Sequence, residues 1–174
     1  MTVEDSMAKM TRRTTLTGIA AATAATSLGE LSTISPSHAA VSAASSVAQK
    51  WIDGWNSPEP EKLVAAFTSD GFYRDVPFDL TKKGSAELRE LHKFFHESVG
   101  GLYCKLVASH VSGGHGTIEW LFGGTDVGVY KTGKPFEVPG VSVIEVRQGR
   151  ISRNLDYYDA ATIMKQVGLL PVKQ

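Results

Sequence analysis

The sequence predicts an α+β domain in which a curved antiparallel sheet wraps on three to four helices and forms a cone with an internal pocket. Three observations carry this expectation. The elements run helix, helix, strand, helix, then four long strands and a closing helix, an order that sets helices against a single sheet. The long strands carry side chains of different character on their two faces, the period of a half-buried sheet. The first helix bears a tryptophan stripe suited to packing against such a sheet. With 174 residues the chain has room for one sizeable core and no second domain.

Eighteen basic residues balance eighteen acidic ones, and Lys and Arg cluster no further than short pairs. That removes the electrostatic footprint of a nucleic-acid or anionic-membrane binder and points to a small partner that is not highly charged. Residues 1–39 read as an export leader and residues 40–174 as the mature domain. Thr11-Arg12-Arg13-Thr14-Thr15-Leu16 precedes a charge-free run rich in Ala, Thr and Gly, and Ser37-His38-Ala39 offers a small-x-small cleavage site. These features resemble leaders of the bacterial twin-arginine pathway, so export to the periplasm or beyond is expected. The apolar run is too short and too Thr-rich for stable membrane anchoring. The alternative reading is a plain N-terminal tail.

Along the mature chain, Val47, Trp51 and Trp55 fall at i, i+4 and i+8 of a helix that Asn56-Ser57-Pro58 stops. Glu59 to Thr68 gives a second short helix with Leu63, Val64, Ala66 and Phe67 turned inward, broken by Ser69-Asp70-Gly71. Phe72 to Pro77 is a short strand with Tyr73 and Asp75 on one face, and Pro77 ends its pairing. After a loop, Ser85 opens a helix carrying Leu88, Leu91, Phe94 and Phe95, which Gly100-Gly101 closes.

Two long strands follow, joined at Ser112-Gly-Gly-His-Gly116. Leu102, Cys104, Leu106, Ala108 and His110 share a face of the first, and Ile118, Trp120, Phe122, Gly124 and Asp126 a face of the second. Thr132-Gly133-Lys134 turns the chain into a strand from Pro135 to Arg147, where Pro139-Gly140 predicts a bulge and Ser142 shares a face with Ile144. Gln148-Gly149 is the tight turn into the last strand. There Ser152, Asn154, Asp156 and Tyr158 share a face opposite Ile151, Arg153, Leu155 and Tyr157. Residue type alone leaves open whether that polar face meets solvent or the pocket. Ala160 to Val167 makes the closing helix.

The single Cys104 sits in an apolar pattern and reads as a small buried hydrophobe. His92 and His96 form the one helical i,i+4 histidine pair, but no third ligand stands at a suggestive spacing, so no metal site is expected.

From about Val47 to Pro171 the chain resembles the nuclear transport factor 2-like superfamily and, within it, the SnoaL-like proteins. Trp55-Asn56, Phe67-Thr-Ser-Asp70, Thr132-Gly-Lys134, Gly140-Val-Ser-Val-Ile-Glu-Val146, Gly149-Arg-Ile151, Asp156-Tyr-Tyr-Asp159 and Gln166-Val-Gly-Leu-Leu-Pro171 carry the resemblance. Tyr73-Arg-Asp75-Val-Pro77 is similar to the Tyr-x-Asn-x-Pro strand motif of limonene-epoxide hydrolases. Asp156 matches the acid that activates water there, and Asp126 the second acid, with Gly124 where those enzymes have arginine. Asp75 resembles the proton-shuttling Asp of ketosteroid isomerases, whose oxyanion-hole Tyr and Asp correspond to Trp51 and Ser142. SnoaL-like polyketide cyclases often show Gly-Thr-His-x-Gly where Gly124-Thr125-Asp126-Val127-Gly128 stands here.

The resemblance implies an exported, cofactor-independent small-molecule enzyme of the cyclase, isomerase or epoxide-hydrolase type, acting on an apolar substrate. Asp156 is then the general base and Asp126 a carboxylic acid kept protonated by burial, with Tyr73 and Asp75 orienting water or substrate. Two acids in one dry pocket are pushed apart in pKa and supply an acid and a base together. Trp51, Trp120, Phe122, His110, Ser142 and Tyr158 are the expected substrate-binding walls. The competing reading is a non-catalytic binder of an apolar ligand on the same fold, favoured by the glycine at 124. A homodimer through the open face of the sheet is also expected from the resemblance.

Overall fold

The computed structural model describes residues 38–171, with side chains from Ser46 onward. The expected leader, residues 1–39, lies outside the described residues apart from His38 and Ala39, which open the first helix. The elements are α1 (His38–Asn56), α2 (Pro60–Ala66), β1 (Phe67–Asp75), β2 (Leu80–Lys83), α3 (Gly84–Ser98), β3 (Val99–Ser112), β4 (His115–Asp126), β5 (Pro135–Arg147), β6 (Arg150–Tyr158) and α4 (Ala160–Gln166). The strands form one open mixed sheet in the order β2-β1-β6-β5-β4-β3. Neighbours are antiparallel except β1 and β6, which run parallel. Helices set against one sheet give the α+β class that the order of elements predicts.

The tryptophan stripe of α1 is core: Val47, Trp51 and Trp55 are all buried, in one cluster with Leu63 of α2, Leu88 and Leu91 of α3, and Ile118 and Val138 of the sheet. Asn56, at the end of α1, locks the helix to β3. Its Nδ2 donates to the Cys104 carbonyl at 2.7 Å while its Oδ1 accepts from the Cys104 N–H at 2.7 Å, so one side chain satisfies a strand residue on both sides. His92 and His96 also serve α1. Their rings stack with centroids 4.1 Å apart, and their Nε2–H groups donate to the Ser57 and Trp55 carbonyls at 2.9 and 3.0 Å. On α3 the buried positions are Leu88, Leu91, His92 and Ser98; Phe95 packs against this core, while Phe94 faces outward, 47% exposed, contrary to expectation.

Four expectations are corrected by the chain's irregularities. Ser69-Asp70-Gly71 does not end a helix but forms a bulge inside β1, which already begins at Phe67, and the register against β6 slips between Phe67 and Phe72. Burial of Phe67 beside Leu63 and Ala66 holds that early strand start in place. β2, read from sequence as loop, folds back from the turn after Pro77 to pair with β1. Pro139-Gly140 is not a bulge, because β4 and β5 pair without interruption through Leu121 with Pro139 and Trp120 with Gly140. Pro139 is tolerated since β6 ends at Tyr158, opposite Gly140, leaving it a free flank. The β5–β6 bulge lies instead at Ser152, which the pairs Glu145 with Arg153 and Val146 with Ile151 leave out, and this turns Ile151 into the core.

Gly140 is glycine for space: a Cβ there would run into the indole ring of Trp120. Gly140→Ala is expected to cost about 1–3 kcal/mol of stability by overpacking, read as a lower urea midpoint together with a shifted tryptophan emission. An unchanged midpoint and spectrum would contradict this packing.

Candidate active site

The side-by-side course of β1 and β6 builds the site. Their parallel register puts Asp75 opposite Asp156 and Tyr73 opposite Asn154, and the period-two alternation sends Tyr73, Asp75, Asn154 and Asp156 to the buried side. The polar face of β6 is therefore the inner one. Two tyrosines cross between the strands: Tyr73 of β1 donates to Asp156 Oδ2 at 2.6 Å, and Tyr158 of β6 donates to Asp75 Oδ2 at 2.9 Å. Asp156 Oδ1 accepts from Ser142 Oγ and from Asn154 Nδ2, each at 2.5 Å. Ser142 is in turn held by Trp120, whose indole N–H donates to its hydroxyl at 2.9 Å. Asp75 Oδ1 accepts the Phe78 N–H at 3.1 Å, which shapes the turn after Pro77.

Burial governs the electrostatics. Loss of water pushes the Asp156 carboxyl up to about 6; donors from Ser142, Tyr73 and Asn154 work against that shift, and the nearby Asp75 adds to it. Asp75 is raised too, chiefly by desolvation, against the donors Tyr158 and Phe78. Both phenols lie well above their ordinary range, first through desolvation and then through the carboxylates beside them, so they remain donors. Neither buried acid has an ion-pair partner among the described residues, so nothing of opposite charge offsets the upward push of burial on the two carboxyls.

The pair opens on a cavity walled by Trp51, Trp55, Trp120, Phe122, Tyr73 and Tyr158, and among the described residues no Lys, Arg or His lines it. The space, mouth included, is about 640 Å³, of which about 60 Å³ can hold the centre of a water molecule. Trp51, Trp120, Phe122 and Tyr158 are thus wall residues, and Ser142 acts from behind by donating to Asp156. The indole N–H groups of Trp51 and Trp55 are buried without an acceptor among the described residues, inside an edge-to-face aromatic stack. Asn154 and Trp55 were not among the sequence candidates. The signals that point to them are the shared face with Asp156 and the α1 stripe.

Two candidates are placed elsewhere. Asp126 is as little exposed as the pair but lies in a shallower place at the cavity edge, and its carboxylate turns into the 127–134 loop, accepting the N–H groups of Tyr130 and Thr132 at 2.9 and 2.8 Å and the Thr132 hydroxyl at 2.8 Å. Desolvation is the largest single influence on it and acts upward, yet these donors together outweigh it and hold the carboxyl below its ordinary range. Asp126 is an ionised loop anchor and not the protonated acid expected. His110 is exposed, at the opposite end of the β3–β4 ladder from Asp126. Leu106 pairs with Trp120 and Ala108 with Glu119, so Val107 is an extra residue that reverses the faces beyond it. Gly124 leaves no room for an arginine: its φ is +153°, and a Cβ would lie 2.5 Å from Val99 Cγ1.

The two acids affect stability with opposite sign. The lowered Asp126 adds stability that is present above the ordinary carboxyl pKa and lost as pH falls toward its own. Asp126→Asn is expected to cost about 1–3 kcal/mol at pH 7, since the loop donors lose their charged acceptor, and to flatten the acid limb of the stability curve. Urea titrations from pH 2 to 7 test this, and an unaltered curve would contradict the anchoring role.

The SnoaL-like domain model matches residues 48–154. A comparison with the curated proteins gives no match. Among solved structures, a Catenulispora acidiphila protein with a ketosteroid isomerase-like fold, in complex with trimethylamine, is 25% identical, with 71% of this chain and 93% of that one covered and a TM-score of 0.66. TsrD from Streptomyces laurentii is 18% identical over 78% of this chain and all of its own, also at 0.66. A Bacillus cereus protein described as a candidate polyketide cyclase is 22% identical over 72% and 80%, at 0.60. With its family match running from the tryptophan helix to the acid-bearing strand, the chain belongs to the SnoaL-like domain family, on the nuclear transport factor 2-like fold.

Proposed function

We propose that this protein is a small-molecule isomerase or cyclase that works by proton transfer inside the cavity, with Asp156 as the group that takes the proton and returns it. The observation that carries this reading is the crossed acid pair, two buried carboxyls side by side, each held by the other strand's tyrosine, with no basic side chain on the wall among the described residues. A carboxyl held near 6 is matched to neutral pH: ionised it removes a proton from substrate, and protonated it is acidic enough to give that proton back. Asp75 contributes fixed negative charge that raises the basicity of Asp156. Tyr73, Asn154 and Ser142 keep the carboxylate in place, as a positioned base requires.

Cavity size narrows the substrate. Space of about 60 Å³ for water centres corresponds to about four to six waters. That suits a compact molecule with a single ring or none, and a multi-ring substrate would have to project past the exposed Phe78 and Val129 at the wall. The reading extends to export through the N-terminal leader. It also includes a homodimer, for which the exposed apolar residues Val107, Val143 and Tyr157 on the sheet are the supporting surface. The second reading, a non-catalytic binder, draws its support from Asp126 being committed to its loop and from Gly124 excluding the arginine of the epoxide hydrolases.

The test is isotope exchange. The full chain is incubated in deuterated water with terpene epoxides, β,γ-unsaturated ketones and polyketide-like esters, and label is followed by mass spectrometry. Deuterium is expected in one compound, with the rate reduced about 10²–10⁴-fold in Asp156→Asn, the usual span of acid–base catalysis. No label in any compound, with one of them retained on the protein, would establish the binding reading instead.

A further inference from the structure

We infer that the cavity recognises its ligand by positive charge, and that its occupant carries a compact alkylated ammonium group. This rests on the reading of the same cavity as the ligand site. The walls supply negative charge without a counter-charge: Asp75 and Asp156 line the cavity, Asp126 touches its edge, and none of the eighteen lining residues is Lys, Arg or His. Buried carboxylates in such a space are stabilised by a cation more than by any neutral occupant.

The rings supply the second half of the recognition. All three tryptophans of the chain lie on the wall. Trp51 and Trp55 stand 6.0 Å apart at 75°, Trp51 and Trp120 6.2 Å apart at 34°, and Trp120 and Tyr158 5.9 Å apart at 60°. Rings inclined to one another offer several faces to one central group, the arrangement that attracts a tetrahedral alkylammonium through cation–π contact while its alkyl groups pack on the rings.

Of the donors on the wall, the Tyr73 and Tyr158 hydroxyls serve the acids and the Trp120 N–H serves Ser142. The Trp51 and Trp55 N–H groups, which have no acceptor among the described residues, are neutral donors and bring no positive charge with which to hold an anion against the two carboxylates. The volume also agrees, since a small alkylammonium fills space sized for about four to six waters. The titratable groups that face Asp156 are Asp75 and Tyr73 of β1, Tyr158 of β6 and Cys104 of β3, whose thiol is pushed up by burial and then by Asp156 itself. The two phenols and the thiol stay neutral, so the charge offered to a cation near neutral pH is that of the acid pair.

The test compares choline with its uncharged isostere 3,3-dimethylbutan-1-ol, titrated into the full chain and followed by quenching of tryptophan fluorescence. Choline is expected to saturate the signal at least tenfold more tightly than the alcohol, and to weaken as pH is lowered through about 6, where Asp156 takes up its proton. Asp75→Asn and Asp156→Asn, each checked for an unchanged far-ultraviolet circular dichroism spectrum, are expected to lose at least tenfold in choline affinity. Equal or tighter binding of the alcohol, failure of both compounds to bind, or full choline affinity in both variants would overturn the inference. The outcome is separable from that of the proposed reaction. Tight alcohol binding with isotope exchange intact removes charge recognition and leaves proton transfer standing, and choline binding with no exchange does the reverse.

Discussion

The crossed hydrogen bonds from Tyr73 to Asp156 and from Tyr158 to Asp75 fix how β1 and β6 must lie, and the rest of the site follows from that pairing. The two strands meet in parallel although most of the domain separates them in sequence, and their register sets Asp75 beside Asp156. A slip of β1 by one residue against β6 would turn Tyr73 and Asp75 out of the cavity and bring Arg74 in. The arrangement has a thermodynamic cost that helps to identify it. Because burial raises Asp156 to about 6, the folded state keeps a proton that the unfolded chain releases near pH 4, and stability falls as pH rises through that window. A shift of that size corresponds to on the order of 2–3 kcal/mol. A chain selected only for stability would place asparagine there, so the retained acid argues for use.

Asp126 and Asp156 differ both in depth and in the donors that reach them. Both are almost wholly inaccessible, and desolvation is the first influence on each. Asp126 receives two backbone N–H groups and a hydroxyl from a loop that curls around it, which outweighs burial and keeps it ionised. Asp156 receives side-chain donors only and sits beside a second acid, so burial prevails and its proton is held to a higher pH. Depth and local backbone geometry together therefore separate a structural carboxylate from one suited to proton transfer.

Much of this was legible in the residues. The tryptophan stripe located α1, turn residues bounded β3 through β6, and period-two alternation put Tyr73, Asp75 and Asp156 on common faces. Alternation fails wherever a strand carries an extra residue, and nothing at Val107 or Ser152 distinguishes those positions from their neighbours. That is why His110 was expected in the pocket and why the burial of Ile151 was missed. The role of Asp126 was hidden for another reason: its partners are N–H groups of a loop whose conformation, with Lys131 and Gly133 at positive φ, emerges only in three dimensions. Pro139-Gly140 misled because the glycine answers to the Trp120 ring across the strand and not to its own backbone.

Membership of the SnoaL-like family fixes the fold and leaves the chemistry to the cavity. Here the aromatic wall supplies shape and the acid pair supplies charge, while Ser142, Asn154 and Trp120 hold the pair in position from behind. The central claim is that burial beside Asp75 lets Asp156 hold its proton up to about pH 6. Carbon-13 nuclear magnetic resonance of the aspartate carboxyl groups, titrated from pH 3 to 8, tests it most directly. The account predicts one carboxyl that titrates near pH 6 and disappears from the spectrum of Asp156→Asn, with a second, neighbouring signal moving in step with it. Titration of every aspartate at or below the ordinary value of about 4 would contradict it.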